Sequence, residues 1–145
     1  MEPRVSLITL GVADLSVSRA FYEQLGWQGR ETEETVFFQA GGMVIVLWGR
    51  AKLAADAQLP DLEVPGFRGV ALAHNVRSEQ EVDQIIAAAE QAGATVTRPA
   101  GPTFYGGYAA YFTDPDGHAW EIAYNPGLSL DADGSLTLPP GFGEP

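Results

Sequence analysis

Apolar positions along the chain change period several times, and each change predicts an element. Residues 5 to 10 are rich in Val, Ile, Leu and Thr, as a strand requires. Asp14 or Ser16 can then cap a helix whose apolar stripe, Val17, Ala20, Phe21 and Leu25, recurs at spacings of three and four. Gly26 is placed to end that helix in a left-handed conformation. Strands over Thr35 to Gln39 and Met43 to Trp48 flank a Gly41-Gly42 turn. The acidic run Glu31-Thr32-Glu33-Glu34 reads as a solvated turn between strands.

The second half follows the same plan. Val70 to Val76 reads as a strand, and Ser78-Glu79-Gln80-Glu81 matches a capping box. Val82, Ile85, Ile86 and Ala89 form the stripe of the helix it opens, and Gly93 closes it. Strands near Thr95, Tyr108 to Thr113 and His118 to Tyr124 complete the repeat. The fold class is therefore α+β: two βαβββ modules, over about 5–49 and 68–124, that are expected to pair. The linker, about 50–67, carries a short helix over Ala51 to Gln58 and then Pro60 and Pro65. An extension over about 125–145 has a short hairpin around Asp131 to Gly134 and a loose end from Pro139 to Pro145.

A chain of 145 residues is one folding unit by length, so 1–145 is expected to be a single domain. The net charge of -11, with no Lys/Arg cluster, removes the main attraction for a nucleic-acid backbone. Having no Cys, the chain offers no thiolate nucleophile and no sulfur ligand. Its longest apolar run, Met43 to Trp48, is far below the ~20 residues that cross a bilayer, and Met1-Glu2-Pro3-Arg4 does not resemble a secretion signal. A cytoplasmic protein is expected.

The segments Leu10-Gly11-Val12-Ala13-Asp14-Leu15, Phe21-Tyr22 and Leu25-Gly26, with Asp114-Pro115-Asp116-Gly117-His118-Ala119-Trp120-Glu121 in the second module, resemble the vicinal oxygen chelate superfamily. That superfamily includes glyoxalase I, bleomycin-resistance proteins and extradiol dioxygenases. In its metal-using members each module supplies one ligand from its first strand and one from its last. The resemblance places these four positions at Leu7, Val46, Ala71 and Glu121. Three of them are apolar, and a divalent ion needs several converging oxygen or nitrogen donors. The resemblance therefore points to a metal-free, bleomycin-resistance-like member with no cofactor. It also implies a homodimer and a curved mixed sheet, built from the two modules, around a central cavity.

Strand alternation sends Ile8, Leu10, Val12, Leu72, His74 and Val76 to the helix side, and Leu7, Thr9, Ala71 and Ala73 to the other face. If Asp114 to Gly117 is a four-residue loop, Phe112 opposes Ala119, Ala110 opposes Glu121 and Tyr108 opposes Ala123. Glu121 then lies among Ala71, Ala73, Ala110, Ala119 and Ala123, walled by Trp48, Tyr108 and Phe112. A carboxylate so enclosed, without an Arg or Lys partner, is costly to ionise and is the candidate ligand anchor or proton acceptor. Trp48, Tyr108, Phe112, Glu121, Thr9, Phe104 and Tyr105 are the expected ligand contacts, the last two in a stretch, 103–108, that reads equally as a mobile lid or as a hairpin arm with ordinary aromatic packing. Ordinary aromatic packing accounts for Trp48, Phe112 and Tyr108 equally well. His118 is expected at the rim in solvent.

The first expectation is a binding protein, rather than an enzyme, that sequesters a small aromatic or cationic compound. The alternative is an enzyme of the same superfamily, a lyase, isomerase or dioxygenase, that uses Glu121 as metal ligand or general base. An interaction module with its cavity filled by its own side chains is a third, which the run of alanines opposes.

Overall fold

The computed structural model describes residues 1–143, with Glu144 and Pro145 of the expected loose end lying outside them. Module one comprises β1 (Leu7–Val12), α1 (Leu15–Gln24), β2 (Gly29–Thr32), β3 (Thr35–Ala40) and β4 (Met43–Gly49). After α2 (Arg50–Asp56), module two comprises β5 (Ala71–Val76), α3 (Glu79–Ala92), β6 (Thr95–Pro102), β7 (Tyr108–Thr113) and β8 (Ala119–Tyr124). Each module forms a four-stranded mixed sheet, in the orders β1-β4-β3-β2 and β5-β8-β7-β6. The two sheets are separate and open. The α+β class and the two βαβββ modules are as expected, but within one chain the sheets do not join into the single curved sheet around a cavity that the resemblance implied.

Helix boundaries follow the capping chemistry. Asp14, in extended backbone, accepts from Val17 N, and Ser78 accepts from Glu81 N. The Glu81 carboxylate accepts in turn from Arg77 N at 2.8 Å, one residue earlier than in a standard capping box. Gly26 and Gly93 have φ of 94° and 106°, and Trp27 N and Ala94 N donate back to Tyr22 O and Ala89 O, as in Schellman ends. The α1 stripe is rotated from expectation: Ser18, Phe21 and Tyr22 are buried, whereas Val17 and Ala20 are exposed. Glu31 and Thr32 belong to β2, so the acidic turn is only Glu33-Glu34, both at positive φ.

One core joins the helix-facing sides of both sheets. Leu10, Val12, Phe38, Ile45 and Leu47 of module one share it with Val76, Phe112, Trp120 and Ile122 of module two. The Phe21 and Phe112 rings lie 6.1 Å apart and the Tyr22 and Trp120 rings 6.1 Å, close enough for favourable aromatic contact. Because the helix sides face one another, the other face of each sheet turns outward. The first and fifth strands each stand at a free edge. The C-terminal hairpin reduces to one bridge, Leu130 with Leu136, around a turn at Gly134.

Candidate functional site

The register of β7 against β8 decides which residues surround Glu121. Thr113 pairs with Ala119, not His118, so the connecting loop holds five residues. The Asp114 carboxylate creates the longer loop by accepting from Asp116 N at 3.0 Å and His118 N at 2.8 Å, while Gly117 takes φ of 83°. A one-residue change in register moves a whole strand's side chains to the opposite face. Phe112 thus pairs with Trp120, Ala110 with Ile122 and Tyr108 with Tyr124, all facing the helices.

This corrects three expectations. Phe112 is 2% exposed in the shared core, Ala110 is fully buried there, and Tyr108 donates its hydroxyl to Asp83 of α3 at 2.9 Å. None of the three shares a face with Glu121. His118 is also not a solvated rim group: it is half-buried, with Nε2 2.9 Å from Gly11 O, tying the loop to β1.

Tyr111 takes the place assigned to Ala110. It pairs with Glu121 on one side and Arg98 on the other, giving a row Arg98–Tyr111–Glu121–Ala73 across the module-two sheet. A bulge between Val96 and Arg98 lets Val96 pack into the core while Arg98 stands opposite Tyr111. The Tyr111 hydroxyl pKa is raised, first by burial and then by the neighbouring Glu121 carboxylate, its partner across β7 and β8. Tyr105 adds to this and Arg98 opposes it, so both lie within electrostatic reach of that hydroxyl. Phe104 is fully exposed at the loop tip.

The loop is pinned rather than open-ended. Thr103 N donates to Gly107 O at 3.0 Å, and Gly107 N donates to Thr103 Oγ1 at 2.9 Å. A Cβ on Gly107 would lie 2.5 Å from Tyr124 O and 2.6 Å from the Tyr105 ring, so only glycine fits there.

Module one repeats the row. Arg30 pairs with Phe37, Phe37 with Val46 and Val46 with Thr9. Matching Thr9–Val46 to Ala73–Glu121 confirms that Val46 and Glu121 are equivalent positions in the repeat. Thr9 and Trp48 therefore lie on the outer face, as expected, with Trp48 paired to Gly11. Glu121 itself is half-buried, and its neighbours Ala71 and Ala73 are exposed. A single chain does not supply the enclosure expected around it.

Leu7, Val46 and Ala71 have hydrocarbon side chains, so the donors present do not fit a divalent metal. Among the described residues no three His, Asp or Glu side chains gather anywhere. The two histidines are elsewhere: His74 is on the helix side of β5, and His118 is in the β7–β8 loop.

Sequence reasoning missed Tyr111 and Arg98. For Tyr111 the available signal was Asp114, because an Asp that caps two backbone N–H groups in the turn lengthens it by one residue, whereas the bulge that turns Arg98 outward had no such signal.

A family model described as "Glyoxalase/Bleomycin resistance protein/Dioxygenase superfamily" matches residues 4–122. A solved glyoxalase-related enzyme from Fulvimarina pelagi is 41% identical, with a TM-score of 0.86 over 94% of this chain and 98% of that one. A hypothetical protein from S. aureus is 26% identical, with a TM-score of 0.75 over 86% and 94% of the two chains. A glyoxalase/bleomycin resistance protein/dioxygenase family enzyme from Burkholderia phytofirmans PsJN, at 23% identity and a TM-score of 0.73 over 82% and 96%, shares the fold. No curated protein matches.

Proposed function

Because this chain belongs to the glyoxalase/bleomycin resistance protein/dioxygenase superfamily, we propose that it is a cytoplasmic small-molecule binding protein acting as a homodimer without a catalytic metal. The observation that carries the reading is the pair of matched outer faces. One presents Phe37, Trp48 and Thr9, the other Tyr111, Tyr105 and one carboxylate, Glu121, among alanines. Apolar walls with a few placed polar groups are the ordinary makeup of a ligand cavity. Facing outward, each wall is half of one.

A second copy completes it. Free edge strands leave rows of unpaired N–H and C=O groups that favour pairing with another chain. If β1 of one copy meets β5 of the other, two-fold symmetry makes the contact twice and creates two equivalent cavities. A groove of about 560 Å³ lies between β5, α3 and the C-terminal segment, lined by Asn75, Arg77, Ile85, Leu130 and Leu136, beside the edge that such a strand would approach. The linker supplies further unburied apolar surface at Leu59, Leu62, Val64 and Phe67. An aromatic ligand would lie between Trp48 and Phe37 of one copy and Tyr111 and Tyr105 of the other.

Metal content is the deciding measurement. Protein purified without a chelating tag is titrated with Mn, Fe, Co, Ni and Zn and analysed by elemental mass spectrometry. The expected result is no stoichiometric metal. Near one metal per chain in the wild type, lost in Glu121→Ala, would overturn the reading.

The Tyr111–Glu121 pair supports a second reading, in which the protein is an enzyme with Glu121 as general base and Tyr111 as hydrogen-bond donor to the developing oxyanion. Turnover lost in Glu121→Gln, with ligand binding retained, would establish it.

A further inference from the structure

The whole-chain charge of -11 suggests a cationic ligand, but the charge is not distributed that way. Within the eight strands the only charged side chains apart from His74 are Arg30, Glu31, Arg98 and Glu121. Glu31 is held by Arg19 of α1 at 2.7 Å, which leaves two arginines and one glutamate for the outer faces. A local field of one sign can oppose the net charge of the molecule, and a ligand responds to the local one.

The two arginines hold equivalent places in the repeat. Arg30 on β2 pairs with Phe37, which pairs with Val46; Arg98 on β6 pairs with Tyr111, which pairs with Glu121. β2 and β6 are the outermost strands of their sheets, at the far side from β1 and β5, so each arginine stands at a rim. Among the described residues Arg4, Arg19, Arg50 and Lys52 are held by carboxylates, whereas Arg30, Arg68, Arg77 and Arg98 have no carboxylate partner, and of these four only Arg30 and Arg98 lie in strands. Arg98 makes one long hydrogen bond, 3.3 Å to Pro102 O. In a chain with 19 acidic residues, two unpaired guanidiniums at matched positions beside aromatic rings are placed for an incoming group.

Resting on the outer faces being the ligand cavity, we propose that the ligand is a small organic oxyanion, an apolar or aromatic body with a carboxylate or phosphate that Arg30 or Arg98 receives. A guanidinium presents a planar fork of donors that matches either oxyanion two bonds at a time. The aromatic body lies inward on Phe37 or Tyr111. Glu121, deeper in the row, accepts a hydrogen bond from a hydroxyl or amide on the same ligand and disfavours an anionic group there. The arrangement sets direction: acid end at the rim, hydrogen-bond donor toward the floor.

The test compares four probes with the same body, phenylbutyrate, phenylbutyl phosphate, phenylbutylamine and the neutral phenylbutanamide, by isothermal titration calorimetry at low salt. The expected result is that at least one anion binds about tenfold or more tightly than the amine and the amide, about 1.4 kcal/mol. Arg30→Ala or Arg98→Ala should remove that preference while leaving amide affinity unchanged, and Glu121→Gln should not weaken the anion. Both arginines are exposed, so their replacement does not threaten the fold. The relative affinities of carboxylate and phosphate identify which oxyanion the site prefers. Amine binding as tight as either anion, or anion binding unaffected by both arginine variants, would overturn the proposal and leave the cavity standing. No binding of any probe would overturn the cavity reading as well.

Discussion

Asp114 is the residue whose role differs most from its sequence context. In an Asp-Pro-Asp-Gly run it reads as a surface turn residue, yet it is 4% exposed and accepts from the Tyr22 hydroxyl at 2.6 Å. Trp120 Nε1 donates to the same hydroxyl at 3.1 Å, so one buried network joins α1 to the β7–β8 loop and β8. Burial, and after it the charge of Asp114, raise the Tyr22 pKa far above the ordinary phenol range, so the hydroxyl stays a donor. Tyr22→Phe would leave a buried carboxylate oxygen and an indole N–H without their partner, and a loss of about 2 kcal/mol is expected in urea denaturation. His74 gives a pH effect. Its pKa is lowered, by burial first and against the opposing charge of Glu81. The unfolded chain therefore binds a proton at higher pH than the folded one. Stability from this group is complete above the ordinary histidine pKa of about 6.5 and is lost as pH falls through that value to the folded one. Denaturation midpoints measured between pH 8 and pH 5 (roughly the histidine range) should fall less in His74→Gln than in the wild type.

Elements were legible where local chemistry specifies them. The cap residues Asp14 and Ser78 and the closing glycines Gly26 and Gly93 bound both long helices, because each meets a backbone need within a few residues of itself. Face assignment on β1, β4 and β5 also held, since alternation is a property of one strand: Thr9 and Trp48 lie outward and His74 lies on the helix side. The pairing of β7 with β8 was not legible in the same way. It depends on a five-residue loop held by Asp114, and the loop length exchanged Tyr111 for Ala110 beside Glu121. Likewise the bulge in β6 turns Arg98 to the outer face, which no alternation pattern predicts. The turn at Thr103–Gly107 allows a direct check of packing at an element boundary. Gly107→Ala places a methyl group against Tyr124 O, a backbone atom that cannot yield, and should cost about 2 kcal/mol. Gly101→Ala, where a Cβ meets nothing within 4 Å, should lie within about 0.5 kcal/mol of wild type in the same assay.

At the scale of the whole molecule, the repeat predicts two modules but not which surfaces they bury against each other. Helix-side hydrophobics are common to both, and either edge-to-edge pairing within a chain or back-to-back packing satisfies the pattern. The structure is back-to-back: Phe21, Tyr22 and Trp27 of module one meet Phe112 and Trp120 of module two. That choice leaves one edge of β1 and one edge of β5 free and leaves Leu7 48% and Val70 65% exposed at their ends. A homodimer joined through these edges accounts for such surface, and it should elute with a light-scattering mass twice the 15.5 kDa of the chain. Leu7→Asp with Ala71→Glu would set like charges against each other across both copies of the contact, where opposing carboxylates are destabilising. Because both side chains are exposed in the single chain, its core should be unaffected and the near-UV circular dichroism of Trp27 and Trp120 retained. The expected outcome is a folded monomer that no longer binds an aromatic ligand, since each cavity would have lost one wall. A wild type that is monomeric at all concentrations would overturn the homodimer, and a double variant that stays dimeric would place the contact elsewhere.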